Sequence, residues 1–246
     1  MNILDCTLRD RAHVNKANFG KKIYAVIPAK KNSSRLPNKN ILPFGNSTLL
    51  EHKISQLQKV SGIDEIIVSS DSDIMLEKAK KMNVKSVKRP EELANELKPI
   101  CDFFEYICDI INDDNGILVW SCCTSPLFDE NLIQKALDIY KEKVYNSSEY
   151  DSLIATYKFK HFLMDNNGPI NYKLGKQHTN SQDLPDLYLF TNGIIITTLE
   201  NVRKFKCWFG GPKHYKFLVD QKQSIDIDTE EDYIIAKAFY NEIKNK

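Results

Sequence analysis

Neither a G-x-x-x-x-G-K-[ST] phosphate loop nor a G-x-G-x-x-G turn occurs in the chain, which removes two familiar routes to a phosphorylated ligand. C-x-x-C spacing is missing as well. The six cysteines, at 6, 101, 108, 122, 123 and 207, form no regular framework in a chain too long to need staples, so they are expected as reduced thiols. Cys101 and Cys108, two helical turns apart, are expected on one buried helix face. An excess of either charge is also lacking: Lys and Arg number 34 against 33 Asp and Glu, which excludes a global field for nucleic acid or an anionic membrane. Any anion site must be local. Arginine is scarce, with only Arg9, Arg11, Arg35, Arg89 and Arg203 among the basic residues, so each one stands out against the lysines. No apolar run approaches the roughly 18 residues of a membrane span, and charges enter within MNILDCTLRD, so the cytoplasm is the expected location. None of the five histidines has a partner nameable from the sequence, and His161, His178 and His214 read as loop or surface residues.

What remains is enough for one substantial core: 246 residues, 42% of them hydrophobic. IYAVIPA (23 to 29) reads as a strand running into the polar loop KKNSSRLPNKN, after which Thr48 and Glu51 open a helix with a capping box. EIIVSS (65 to 70) is a second strand, followed by helical spacing over 72 to 82 with Ser72 at the N-cap, and VKSV (84 to 87) is a third, short strand. RPEELANELKP reads as a linker, Ile100 to Ile111 as a helix and GILVWS (116 to 121) as a strand. Asp129 caps a helix of about 15 residues, and SLIATY (152 to 157) is another strand. Between Lys158 and Pro185 the pattern lapses into a loop or hairpin excursion. LYLFTNGIIITT (187 to 198) is strongly β with an Asn-Gly step inside it; KFLVD and SIDID then precede a last helix whose start TEED gives a weakened capping box from Thr229 to Asp232. Strands alternating with helices predict a mainly parallel, three-layer Rossmann-like α/β sheet with helices on both faces. Ligands would then sit at the carboxyl ends of the strands, in the loops after residues 29, 70 and 121 and at 226 to 228.

Those loops carry the candidate chemistry. Lys30, Lys31, Arg35 and Lys39 lie within ten residues among Asn32, Ser33, Ser34 and Asn40, a set that can surround a triphosphate with cations and backbone N–H groups. The charges alone describe equally a solvated lysine-rich turn. Asp226 and Asp228, two apart on a strand end, turn their carboxylates to one face while Ile225 and Ile227 enter the core. Two hard oxygen ligands so spaced suit one Mg²⁺, and they also suit two solvated acids at a helix start. Asp71 belongs either to a pocket after the second strand or to the cap of the helix that follows.

The order of these residues narrows the choice. IPAKKNSSRLPNKNILPFGNSTLLEHKI resembles the signature of the acylneuraminate cytidylyltransferase (CMP-sialic acid synthetase) family, IPARGGSKGIPRKN followed by a helix. IIVSSDSD, RPEELA, CTSPL, SQDLPDLYLFTNGIIITT and SIDIDTEED resemble further family blocks in the same order, and together they span residues 23 to 238. The resemblance implies a nucleotidyltransferase-type fold over residues 23 to 246. It implies transfer of CMP from CTP to an acidic sugar or sugar-like acceptor such as a nonulosonate or a Kdo-like acid, Mg²⁺ as cofactor, and a homodimer in which the excursion reaches into the partner's site. Position by position it implies that Lys30, Arg35, Lys39 and Asn40 clamp the phosphates, the arginine by analogy with the S-T-R-L-P-G-K motif of Kdo cytidylyltransferases. Ala29, Ser33, Ser70, Asp71 and Arg89 would complete the nucleotide pocket, and Cys122, Thr124, Ser125, Gln182 and Asn192 the acceptor side. Asp226 and Asp228 would hold the metal, with Asp228 catalytic.

The departures cluster on the acceptor side. Lys31-Asn32 replaces the family's Gly-Gly, Cys122-Cys123 its Gln-Pro, Phe128 an arginine, and Ser181 another arginine. Fewer cations there leave open a different nonulosonate, a phosphorylated or phosphonate acceptor, or a nucleotide-binding protein without turnover. Residues 1 to 22, MNILDCTLRDRAHVNKANFGKK, are set apart as an extension. They resemble the opening of metal-dependent aldolase-type barrels, where Asp5 would ligate metal and Arg9 bind substrate, but one strand and a loop cannot make an eight-stranded barrel.

Overall fold

The computed structural model describes residues 20–95, 98–147, 149–207 and 209–245; the barrel-like opening, with Asp5 and Arg9, lies outside the described residues. β1 (Ile23–Pro28) is the middle of the molecule, its first five residues buried because both its faces are covered. The loop after it contains a short antiparallel pair, β2 (Pro43–Phe44) with β3 (Ser47–Thr48), and leads into α1 (Leu49–Gln58). The predicted capping box is formed: the Thr48 hydroxyl accepts the Glu51 N–H, and the Glu51 carboxylate accepts the Thr48 N–H. β4 (Glu65–Ser70), α2 (Asp73–Lys81) and β5 (Lys85–Lys88) follow as expected. Ser72 does occupy the N-cap, but its side chain makes no cap bond; its own N–H goes to the Ser70 hydroxyl at 3.0 Å. α3 (Ile100–Ile111) buries Cys108 and leaves Cys101 partly exposed, so the two thiols share the helix without sharing its core face equally.

β6 (Ile117–Trp120) is followed by α4 (Glu130–Tyr140), capped by the Asp129 carboxylate on Leu132 N–H and extended by a π turn through Tyr145. β7 (Ser152–Phe159) leads into the excursion, whose regular pairing is limited to β8 (Met164–Asp165) against β9 (Gly168–Pro169). β10 (Leu187–Thr198) runs the full predicted length, with a register shift between Phe190 and Ile195 at the Asn-Gly step. α5 (Leu199–Phe205), unforeseen in the sequence, begins directly on the Thr198 hydroxyl cap. β11 (His214–Val219) starts earlier than KFLVD, so His214 is a strand residue hydrogen-bonded to Ser152 rather than a loop residue. α6 (Glu230–Lys244) carries its capping box with Asp232 at the third position.

The seven main strands lie in the order β11-β7-β10-β6-β1-β4-β5. Only β10 runs against its neighbours, pairing antiparallel with β6 and β7, so the sheet is mostly parallel. α1, α2 and α4 bury their apolar stripes on one face and α3 and α5 on the other, giving two cores and three layers. One strand expectation fails: Ser224 to Asp228 pair with no strand. That segment is a loop fixed by the Ile227 N–H on the Thr124 carbonyl at 2.8 Å, with Ile227 wholly buried.

Candidate active site

From β1 the chain goes by α1 to β4 on one side and later returns by α3 to β6 on the other, and this reversal opens a crevice at the carboxyl end of β1. The cationic loop lies across it. Lys31 N–H donates to the Asp71 carboxylate at 2.7 Å, and the Asn40 amide donates to the Lys30 carbonyl at 2.8 Å, which pins both ends of the loop. Asn40 also accepts the Cys123 thiol at 3.1 Å, so its amide is spent on holding the loop to the segment after β6. Asn38 takes a left-handed conformation, φ 54°, which Asn tolerates at little cost, and the chain then winds into the 3-10 turn that aims Lys39.

Lys39 and Asp228, 189 residues apart, meet: the ammonium reaches Asp228 Oδ1 at 2.8 Å, and Arg35 Nη2 reaches Oδ2 at 2.9 Å. The Lys39 side chain is only 13% exposed, so it is held, whereas Arg35 is largely in solvent. Asp226, on the other side of buried Ile227, accepts a hydrogen bond from the Asn192 amide. The strand expected here is a loop, in which Asp226 is held by Asn192 and Asp228 by Lys39 and Arg35.

Behind these groups is a cleft of about 420 Å³. Its wall includes Lys30, Ser33, Lys39, Asn40, Arg89, Cys122, Thr124 and Asn192, all singled out from sequence. A second lobe of about 340 Å³ shares Lys30 and Ser33 and adds Asp71. Other predicted residues, Arg35, Asp226 and Asp228 among them, do not line the wall, although Asp228 pairs with Lys39 and Asp226 with Asn192, which do. Ala29 is buried beneath the loop, with its N–H on the Ser69 carbonyl, and Ser70 is sealed against α2, its hydroxyl next to Met75 sulfur. Ser125 is buried in the loop after β6, and Gln182 is exposed on the excursion, its carbonyl accepting Lys160. Unforeseen in the sequence, Leu93 to Asn95, Lys98 and Pro99 from the expected linker and Ile100 at the start of α3 line the cleft together with Phe103 and Trp120. Ile100, apolar and exposed at the first position of α3, was the available signal.

Arg89 is nearly buried, its guanidinium donating to the Ser69 carbonyl at 2.8 Å and stacked 3.8 Å from the Phe103 ring centre. Burial pulls its pKa down to about 10, which leaves it charged near neutrality. Burial also pushes the Cys122 thiol well above its usual range and Cys123 up to about 12, so neither is a thiolate nucleophile. Phe128, standing for an arginine in the resemblance, is sealed in the core over Gly193; a Cβ on that glycine would lie 2.4 Å from its ring. Among the described residues, the buried side-chain oxygens without a hydrogen-bond partner include four at or beside the cleft: Ser33 Oγ, Ser125 Oγ, Asn192 Oδ1 and Asp226 Oδ1. Since native interiors rarely leave such atoms unpaired, their convergence marks a site shaped for a ligand.

The profile of the family described as cytidylyltransferase matches residues 24–188. The pseudaminic acid cytidylyltransferase of Campylobacter jejuni subsp. jejuni serotype O:23/36 is 28% identical over 234 residues, covering 89% of this chain and 96% of that protein. The N-acylneuraminate cytidylyltransferase of Streptococcus agalactiae serotype III is 27% identical over 224 residues, 87% of this chain but only 52% of that longer protein. Among solved structures, CMP:2-keto-3-deoxy-manno-octonic acid synthetase complexed with CTP superposes with a TM-score of 0.66 at 15% identity, covering 90% of this chain and 99% of that one.

Proposed function

We propose that this chain, which belongs to the cytidylyltransferase family, transfers CMP from CTP to a hydroxyl of a small acidic sugar of the nonulosonate or Kdo-like kind and releases pyrophosphate. The observation that carries the reading is the meeting of Lys39, which lines the cleft, with Asp228, which Arg35 also pairs. Relatives of similar length named for pseudaminic acid, and longer ones named for N-acylneuraminate, support the acceptor class.

In this reading the acceptor hydroxyl attacks the α-phosphorus in line, and the bond to the β,γ-pyrophosphate breaks. Lys30, Arg35 and Lys39 offset the negative charge that grows on the phosphates, and Lys39 does so from a pre-set position. Arg89 and Asp71 flank the nucleoside. Cys122, Thr124 and Asn192 face the acceptor, and Ser125 supports that wall. The donor set fits Mg²⁺, because Asp226 Oδ1 and Asn192 Oδ1 are buried oxygens without partners and Asp228 adds a second carboxylate. Asp226 and Asp228 would hold the ion, which when bound supplies further positive charge to the phosphate oxygens. Gln182 and the apolar excursion suit a second copy of the chain, and the homodimer belongs to this proposal. So does a cytoplasmic setting: the five described cysteines are free, and no helix of the described residues is long and apolar enough to cross a membrane.

The test is twofold. Thermal shift with Mg²⁺ should be larger for CTP than for UTP, GTP or ATP at equal concentration; equal shifts sink the cytidylyl assignment. Pyrophosphate release with CTP should depend on an added nonulosonic or 3-deoxy-2-keto sugar acid and not on sugar phosphates; the reverse preference moves the acceptor to the phosphate class.

A further inference from the structure

We propose that Lys53 is a positioning residue for this site: from within α1 it holds, through the Phe128 carbonyl, the loop that forms the cleft wall and anchors the carboxylate pair. Its neighbours on the helix, Leu49, Leu50, Ile54 and Leu57, are fully buried aliphatic residues, and so is the position Lys53 itself occupies. An aliphatic side chain would serve the core better. Among the described residues the Lys53 ammonium has one hydrogen bond, to Phe128 O at 2.8 Å, and pairs with no carboxylate. The nearest acids are engaged elsewhere: Asp129 caps α4 through Leu132 N–H, and Glu130 pairs with Lys59 at 2.8 Å. An ammonium buried with so little compensation is destabilising, so its presence calls for a role outside stability.

The role follows from what its partner carries. Phe128 N–H bonds the Ser125 carbonyl, Ser125 N–H bonds the Cys122 carbonyl, and the Thr124 carbonyl accepts the Ile227 N–H between Asp226 and Asp228. Cys122 and Thr124 line the cleft. α1 grips the same loop a second time, where Gln56 donates to the Pro126 carbonyl at 2.8 Å and His52 lies 3.3 Å from that oxygen. Lys53 thus fixes the end of a short hydrogen-bonded span whose other contacts are the acceptor wall and the carboxylate loop. Burial also pulls the Lys53 pKa down from 10.5 to about 8. The titratable groups around it are Cys122, Cys123, Asp129 and Glu130, with His52 on its own helix, neutral near pH 7 because burial lowers it to about 4. Raising pH through about 8 therefore discharges Lys53 and weakens its grip.

The inference rests on the cytidylyl-transfer reading only for its kinetic arm. In Lys53→Met, amide hydrogen exchange should accelerate at least tenfold in residues 121–129 and 224–228 and stay unchanged in β1, β4 and α3, with a melting temperature no lower than the wild type. Unchanged exchange in the two loops overturns the proposal, as does acceleration spread over the whole chain with a fall in melting temperature. Should that variant fail to fold, exchange in the wild type between pH 6.5 and 9.5, corrected for intrinsic rate, should rise in the same two segments around pH 8; a flat ratio overturns it equally. Kinetically, kcat/KM for the acid acceptor should fall at least tenfold while CTP affinity stays within twofold. Loss of CTP affinity to the same degree argues against a positioning role. If the wild type releases no pyrophosphate with any acid, the functional reading fails while the exchange arms still decide Lys53.

Discussion

Asp228 answers to two cations in the free protein, and that arrangement predicts how its removal will behave. Both of its oxygens are engaged, one by the held Lys39 and one by the exposed Arg35. Half-exposed ion pairs contribute at most about 1 kcal/mol, so Asp228→Asn should shift the melting temperature by no more than a few degrees. Turnover should respond very differently under the proposed reading, with kcat falling at least about a hundredfold as a carboxylate that would hold the metal is lost. The same substitution frees Lys39 and Arg35 from their carboxylate. Calorimetric titration with CTP in a chelator should therefore give binding no weaker than the wild type, while binding with Mg²⁺ present weakens. Undiminished pyrophosphate release in the variant would remove Asp228 from the site.

Two capping boxes separate a structural contribution from a functional one at the level of the element. Thr48 and Thr229 make the same contacts at the starts of α1 and α6, and loss of either hydroxyl, as in Thr48→Ala or Thr229→Ala, should lower stability by about 1 kcal/mol in urea unfolding. At α6 the Asp232 carboxylate also accepts the Asp228 N–H, at 3.1 Å, so the cap and the carboxylate loop are one assembly. Thr229→Ala should raise the Mg²⁺ concentration needed for half-maximal rate several-fold, and Thr48→Ala should leave it unchanged; equal effects refute the coupling. The caps were legible in the sequence because they are local, as were β1, β4, β6 and the outline of the sheet. The alternation in SIDID matched a strand, but a strand needs a neighbour, and here the Thr124 carbonyl meets only the Ile227 N–H while the rest of the loop is held by local and side-chain bonds. α5 was too short for its periodicity to stand out from β10. Leu93 to Asn95 read as a linker because their place in the cleft lining beside Phe103 and Trp120 arises only on folding. The residue types around the nucleotide lobe were legible, yet Asn40 and Ser70 turned out to fasten backbone, and Lys53 looked like any helix lysine. Which partner a polar side chain finds is decided by tertiary contacts that spacing does not encode.

The whole molecule places its chemistry where the chain order reverses around β1, and it leaves a different surface unfinished. The excursion projects from the end of β7 with little pairing of its own, and it exposes Phe162, Met164, Ile170 and Leu174, with Leu189 on the adjoining stretch of β10. Large apolar side chains concentrated on one thinly packed element are unlike the scattered exposure of an ordinary surface, and they suit burial by an identical excursion. Gln182 on the same segment is exposed and is not among the residues lining the cleft of its own chain. The chain should therefore run as a dimer in light scattering at micromolar concentration. Met164→Lys combined with Leu174→Lys should shift it to a monomer without unfolding it, because both side chains are about two-thirds exposed in the single chain. If acceptor binding uses the partner's excursion, that monomer should keep its thermal shift with CTP and lose most acceptor-dependent turnover. A monomeric wild type, or a monomeric variant with full activity, overturns the shared site.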